Sequence, residues 1–129
     1  VDDRALLAEA QAARANAYAP YSRFPVGAAL LARSGKVYPG VNVENASFGV
    51  TICAERAALF TAVAAGERAF EAIAIVADTE GPVRPCGACR QALAEFGTDL
   101  RVVMGNTAGE VSVSTLSVLL PSGFRFKAR

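Results

Sequence analysis

Glu71-Ala72-Ile73-Ala74-Ile75-Val76-Ala77 is the stretch on which the fold turns. It is an almost unbroken apolar run, the pattern of a central strand covered on both faces. Such a strand needs helices above and below it, and the flanking sequence supplies them. Upstream, a run of good helix formers begins at Cys53 and continues through Leu59, Phe60 and Val63 to Gly66, a helix terminator. Downstream comes a loop, then Pro85-Cys86-Gly87-Ala88-Cys89-Arg90 and a short helix over Ala88 to Phe96, closed by Gly97. A strand at Leu100 to Met104 follows. Glu110 to Val113 reads as a last short strand, and Ser114 as the cap of a final helix that runs through Leu119 and stops at Pro121.

Toward the N-terminus, Val26 to Ala32 and Val37 to Val43 form a hairpin around the turn Ser34-Gly35-Lys36. Asp2 to Ala17 is a first helix with Leu6, Ala10, Ala13 and Ala17 as its apolar stripe, ended by Pro20. A hairpin followed by strand–helix–strand units predicts an α/β fold with a five-stranded mixed sheet and helices on both faces. No internal repeat or linker interrupts it, so residues 1–129 are expected to form one domain.

Composition narrows the partners. At 129 residues the chain is long enough to bury roughly two-thirds of its unfolded surface. Hydrophobic residues make up 53% and charged ones 19%, an apolar excess that points to buried subunit interfaces or to an alanine-rich genome. Net charge is +1 with no basic run, which argues against a nucleic-acid partner and for a free small substrate. No apolar run approaches a membrane span, and no secretion signal opens the chain. With only three cysteines, this predicts a reducing, cytoplasmic location and no membrane partner.

Those three cysteines carry the chemistry. The chain contains no histidine, so a metal site here has to be built from Cys53, Cys86 and Cys89. Zinc accepts three thiolates readily, and three protein ligands with an open fourth position is the arrangement of a catalytic site. Cys53 and Cys86 both fall at helix N-termini, where the dipole favours a thiolate. Glu55, in the first turn of its helix, is placed to serve water at that metal as a proton shuttle without being a ligand. Blander readings remain for each residue. The cysteines also fit buried small hydrophobes, or a Cys86–Cys89 redox pair with Cys53 incidental. Glu55 also fits a carboxylate that complements the helix dipole. Arg56, three residues after Cys53 and on the same side of the helix, fits either a donor to thiolate sulfur that tunes the site's charge or an ordinary surface arginine. Asn42 and Glu44 alternate with Val41 and Val43, so on a strand their side chains share one face, solvated or ligand-binding.

Cys53-Ala54-Glu55 followed far downstream by Pro85-Cys86-Gly87-Ala88-Cys89 resembles the zinc-dependent nucleoside deaminases, which include a three-cysteine form. Tyr21-Ser22-Arg23-Phe24-Pro25-Val26-Gly27-Ala28-Ala29-Leu30, Val41-Asn42-Val43-Glu44-Asn45-Ala46-Ser47 and Leu119-Leu120-Pro121-Ser122-Gly123-Phe124 are similar, in order, to motifs of the small tetrameric cytidine deaminases. The likeness runs from about Tyr18 to Phe124. It implies a three-layer α/β/α fold, one zinc per chain on the three cysteines, and Glu55 as general acid/base. The reaction it implies is hydrolytic deamination of cytidine and 2′-deoxycytidine, with free nucleoside as substrate. Asn42 and Glu44 are implied as ribose contacts, Phe24 as a contact for the pyrimidine ring, and the Ala54 backbone as a contact for its polar edge. The resemblance also implies a homotetramer with shared active sites, in which Phe124 reaches a neighbour's site. Phe48 stands where many relatives carry Tyr. Two competing readings accompany these: a deaminase of the blasticidin S type, which shares the zinc motifs, and a non-catalytic zinc-binding oligomeric module.

Overall fold

In the computed structural model, which describes residues 1–126, the apolar run becomes strand β3 (Phe70–Ala77) at the middle of a five-stranded sheet. The tail Lys127-Ala128-Arg129 lies outside the described residues. The other strands are β1 (Val26–Ala32), β2 (Val37–Val41), β4 (Arg101–Asn106) and β5 (Val111–Thr115), in the order β2-β1-β3-β4-β5. Only the β3–β4 pair is parallel, and the other three pairs are antiparallel. That parallel pair requires a crossover, which is helix α3 (Gly87–Ala94).

Alternation along β3 divides the core into two layers. Ile73 and Ile75 point to one side, where they meet Leu30, Val102 and helix α2 (Ala54–Ala64) through Ala58, Leu59 and Ala62. Ala72, Ala74 and Val76 point to the other, against Leu6 and Ala10 of helix α1 (Asp3–Arg14). Complete burial of a residue such as Ile73 or Leu59 contributes about 1.5–3 kcal/mol each. The result is the three-layer α/β/α arrangement with a mixed sheet.

Two glycines let the helices come close to the sheet. A Cβ at Gly27 of β1 would lie 2.1 Å from the Ala10 carbonyl oxygen of α1. A Cβ at Gly40 of β2 would lie 2.3 Å from the Ala54 carbonyl oxygen, the first turn of α2. The second contact matters for function, because it sets the depth at which α2 starts.

Several boundaries differ from the pattern-based expectation. Helix α1 stops at Arg14 rather than Ala17, because the chain turns there to bring Tyr18 beside Val43 in a parallel bridge. Strand β2 ends at Val41, and Val43 instead bridges Ile52 through two backbone hydrogen bonds of 2.9 and 3.0 Å. Ser114 pairs with Val102 inside β5, so the cap of helix α4 (Leu116–Leu119) is Thr115. In each case a backbone partner far along the chain outcompetes the local signal.

Candidate active site

The bridge between Val43 and Ile52 delivers the chain to Cys53, the N-cap of α2, and Cys86 is the N-cap of α3. Both cysteines have extended backbone, which turns their side chains off the helix ends toward each other. Cys89 lies one turn into α3 and is fully buried. The three Sγ atoms lie within 4.8 Å of one another, and Cys53 and Cys86 Sγ are 3.8 Å apart. Four tetrahedral ligands at zinc–sulfur distances of about 2.3 Å place their sulfurs about 3.8 Å apart. The donor set and its spacing therefore fit a zinc ion with three thiolate ligands.

Hydrogen bonds aim donors at this cluster. The Cys89 backbone N–H donates to Cys86 Sγ at 3.4 Å, and Arg56 Nη2 donates to Cys53 Sγ at 3.4 Å. From the protein groups alone, Cys53 ionises far more readily than Cys89. The Cys89 thiol donating to it is the main cause, burial opposes, and Arg56 and Cys86 add to a pKa brought down to about 5. Cys89 is pushed the other way by the same contact with Cys53 and by burial. Contact with Cys53 and Cys89 holds the Arg56 guanidinium firmly charged.

Glu55 is only 4% exposed. Burial, the dominant influence, pushes its carboxyl up to about 7, and the nearby charge of Cys53 acts in the same direction. A carboxyl that both gains and loses a proton near neutrality has the property a proton shuttle needs.

These groups meet in a cavity of about 210 Å³. Phe24, Asn42, Cys53, Ala54, Glu55 and Cys86 all line it, so six of the residues singled out from sequence come together. Glu44 and Phe124 do not share it, and neither Cys89 nor Arg56 lines it. Glu44 lines an adjoining hollow of about 430 Å³ with Tyr21, Ser22 and Phe48, and Thr51 borders both spaces. Phe124 lies on the surface beside Leu120 and Gly123, 73% exposed.

Asn42 and Glu44 do not sit on one regular strand, since β2 has ended before them. Both grip the segment that carries Phe24. Asn42 Oδ1 accepts from Val26 N–H at 2.9 Å, and its Nδ2 donates to the Phe24 carbonyl at 2.9 Å. Glu44 Oε1 accepts from the N–H groups of Tyr21 and Ser22 at 2.9 and 3.1 Å, while Ser22 Oγ donates to Oε2. Ser22 Oγ in turn accepts from Phe24 N–H at 3.0 Å. Those bonds bring the Glu44 carboxyl below its ordinary range, Ser22 contributing most. Sequence reasoning did not anticipate Ser22, Thr51, Val83 or Arg84 at the site. No periodicity marks them, and their place follows from backbone turns.

Comparison with known proteins agrees with this geometry. Residues 1–106, which include all three cysteines, match the family model described as the cytidine and deoxycytidylate deaminase zinc-binding region. A cytidine deaminase of Sporosarcina psychrophila is 53% identical over 125 residues, 96% of this chain and 92% of that protein. The crystal structure of a cytidine deaminase from Burkholderia pseudomallei superimposes with a TM-score of 0.94 at 54% identity, covering 96% of this chain and all (100%) of that one. That of the Mycobacterium tuberculosis cytidine deaminase does so with a TM-score of 0.84 at 41% identity, covering 98% and 99%. With its three thiols at two facing helix ends and the matched zinc-binding region around them, this chain belongs to the cytidine and deoxycytidylate deaminase family.

Proposed function

We propose that this chain is a zinc-dependent cytidine deaminase that hydrolyses cytidine and 2′-deoxycytidine to uridine and 2′-deoxyuridine with release of ammonia. One observation carries the reading: a three-sulfur cluster at zinc spacing opens, through Cys53 and Cys86, onto the small cavity that the buried carboxyl of Glu55 also lines. A redox pair has no use for Glu55, and neither does a purely structural metal site.

Zinc held by Cys53, Cys86 and Cys89 supplies Lewis acidity and makes a water nucleophilic near neutral pH. The chain's own residues do the rest. Glu55 takes a proton from the attacking water and delivers it to N3 of the cytosine ring, then takes the second proton from the new C4 hydroxyl and passes it to the departing amine. The C4–N bond breaks as the C4–O bond becomes a carbonyl, so water and cytidine balance uridine and ammonia. The low polarity around Glu55 keeps its proton affinity matched to both transfers. Ala54, the first residue of α2, lines the cavity that would receive the base, and its N–H has no acceptor within the helix. Phe24, whose backbone is held at both its N–H and its C=O, offers a fixed ring for the pyrimidine.

Sugar recognition falls to Asn42 and Glu44. After its bonds to Phe24 and Val26, the Asn42 amide keeps one N–H and one lone pair free, and Glu44 Oε2 keeps acceptor capacity beyond Ser22. Being pre-anchored, both groups meet a ribose hydroxyl without further ordering cost. Residues 1–129 act as one domain. The protein works as a homotetramer, which accounts for exposed apolar side chains such as Phe48, Phe60, Val118 and Phe124. In that assembly Phe124 completes a neighbour's cavity, and Arg56 offsets the charge of the thiolates.

The test is zinc analysis together with an absorbance assay for conversion of cytidine to uridine. Cys53→Ala, Cys86→Ala and Cys89→Ala are each expected to lose metal and turnover together. Full zinc in any one of them would remove that cysteine from the site, and no turnover by the zinc-loaded wild type would reject the activity. A fully active monomer in sedimentation would reject the shared-site assembly.

A further inference from the structure

Gln91 of α3, two residues beyond Cys89, clamps the backbone of Phe124. Its Nε2 donates to the Phe124 carbonyl at 2.9 Å, and its Oε1 accepts from the Phe124 N–H at 3.1 Å. A planar amide bonded to both polar groups of one residue fixes that residue's place and direction, as a strand partner does, without touching its side chain. The approach is equally constrained. Ser122 has φ of 57°, and a Cβ at Gly123 would lie 2.6 Å from Leu120 Cδ2, so the chain turns tightly just before Phe124. Arg90, the preceding residue of α3, donates to the Leu119 carbonyl at 2.6 Å and to the Pro85 carbonyl at 2.9 Å. The segment from Leu119 to Phe124 is thus tied at both ends to the helix that carries Cys86 and Cys89.

The ring held this way packs on nothing comparable. Phe124 is 73% exposed and takes part in neither of the aromatic pairs among the described residues. Ordering a segment near the chain end costs conformational entropy, and the exposed ring returns little of it within one chain. A pinned backbone under a bare ring is the arrangement of a group presented to something outside the chain.

We propose that Gln91 is a positioning residue whose side-chain amide sets the direction in which Phe124 is offered to a neighbouring subunit's nucleoside cavity. The inference rests on the reading of Phe124 given above and adds the device that holds it. It ties the ring one subunit lends to its neighbour to the short helix that also bears Cys89 and begins at Cys86.

Steady-state kinetics on the zinc-loaded, assembled enzyme test it, using Gln91→Ala, Gln91→Glu, Phe124→Ala and the double variant Gln91→Ala/Phe124→Ala. Gln91→Ala is expected to raise the KM for cytidine roughly tenfold, the scale of one displaced apolar contact. Its kcat should stay within about threefold, because the loss is one of binding. Gln91→Glu keeps the acceptor for the Phe124 N–H but sets a carboxylate oxygen against the Phe124 carbonyl, so its KM should rise at least as far as that of Gln91→Ala. The double variant should be no worse than Phe124→Ala, since the effect of Gln91 passes through Phe124. A wild-type KM in Gln91→Ala beside a raised KM in Phe124→Ala overturns the positioning role. So do additive losses in the double variant, or a fall in kcat alone, the mark of a merely structural loss. If Gln91→Ala does not fold, a wild-type KM in Gln91→Glu overturns the role instead. A wild-type KM in Phe124→Ala defeats the reading of a lent ring itself.

Discussion

Gly40 of β2 lies directly beneath Ala54, the first residue of α2, with room for a hydrogen and no more: a Cβ there would be 2.3 Å from the Ala54 carbonyl oxygen and 2.5 Å from the Ala58 backbone nitrogen. Both contacts are to backbone, so neither a rotamer change nor a flexible side chain relieves them. The start of α2 is also where Cys53 and Glu55 are aimed, so this one contact joins the sheet to the chemistry.

Gly40→Ala should therefore act on the site as well as on stability. Overpacking of this kind typically costs about 1–3 kcal/mol. The first turn of α2 must lift from the sheet, moving Cys53 relative to Cys86. We expect a lower melting temperature and weaker zinc retention under mild chelation. A stable variant with wild-type zinc affinity would show that α2 is positioned by other contacts.

Glu55→Gln should keep its fold and its zinc and lose nearly all turnover. The amide fits the same buried space but carries no proton between water, ring and amine. General acid/base groups contribute about 10² to 10⁴-fold, and the proposed role gives Glu55 more than one transfer. Zinc content near wild type with turnover reduced at least a hundredfold is the expected pair of results. Activity within a few-fold of wild type would remove Glu55 from its role.

Much of this arrangement is legible in the sequence because it rests on local patterns. The apolar run at Ala72–Ala77 is a central strand since both its faces are covered, and its alternation then sorts Ile73 and Ile75 from Ala74 and Val76. Cys53 and Cys86 are readable as helix starts from the helix formers that follow them, and two helix starts facing one point make a metal site. The alternation of Asn42 and Glu44 with Val41 and Val43 predicts a strand face. The two polar side chains are instead anchored to backbone groups between Tyr21 and Val26, contacts that span 16 to 23 residues and leave no periodic trace. Gln91 is silent for the same reason, its partner lying 33 residues away. Strand β5 runs on to Thr115, beyond the short strand expected at Glu110 to Val113, because Ser114, which locally reads as a helix cap, pairs with Val102 instead.

A knot remote from the site makes stability depend on pH. Glu67, just beyond α2, accepts from Ser34 Oγ at 2.7 Å and from the Tyr38 hydroxyl at 2.8 Å, pinning the β1–β2 hairpin. Ser34 foremost, then Tyr38, lowers the Glu67 pKa from its ordinary 4.5, and the bond to Glu67 raises that of Tyr38 from 10.0. The depressed carboxylate adds stability above its unfolded pKa that is lost as pH falls through the folded one. The raised phenol adds stability below its unfolded pKa that is lost as pH rises through the folded one. Glu67→Gln should thus melt earlier than wild type on the plateau between those limits, by a small margin because the groups are partly open to solvent. The gap should close in acid, as Glu67 protonates in the wild type. A gap that persists unchanged below pH 3 would mean that packing, not charge, is responsible.

Arg56 provides the final test, on the charge of the metal centre. Three thiolates around zinc leave a net charge of −1, and excess thiolate charge weakens the metal as a Lewis acid and raises the pKa of water at it. Helix N-termini at Cys53 and Cys86 offset part of that charge. In the proposed role, the bond from Arg56 Nη2 to Cys53 Sγ at 3.4 Å offsets more, by drawing electron density from the sulfur. Arg56 Nε is buried without an acceptor among the described residues, so removing the guanidinium does not strip the fold of a bond at that atom. Arg56→Gln should hence stay folded, retain most of its zinc, show a lower kcat, and begin to gain activity at higher pH than wild type. The shift in the pH profile separates tuning from packing, because lost packing lowers the active fraction equally at every pH. Wild-type kcat with an unmoved profile would make Arg56 a bystander at the cluster it touches.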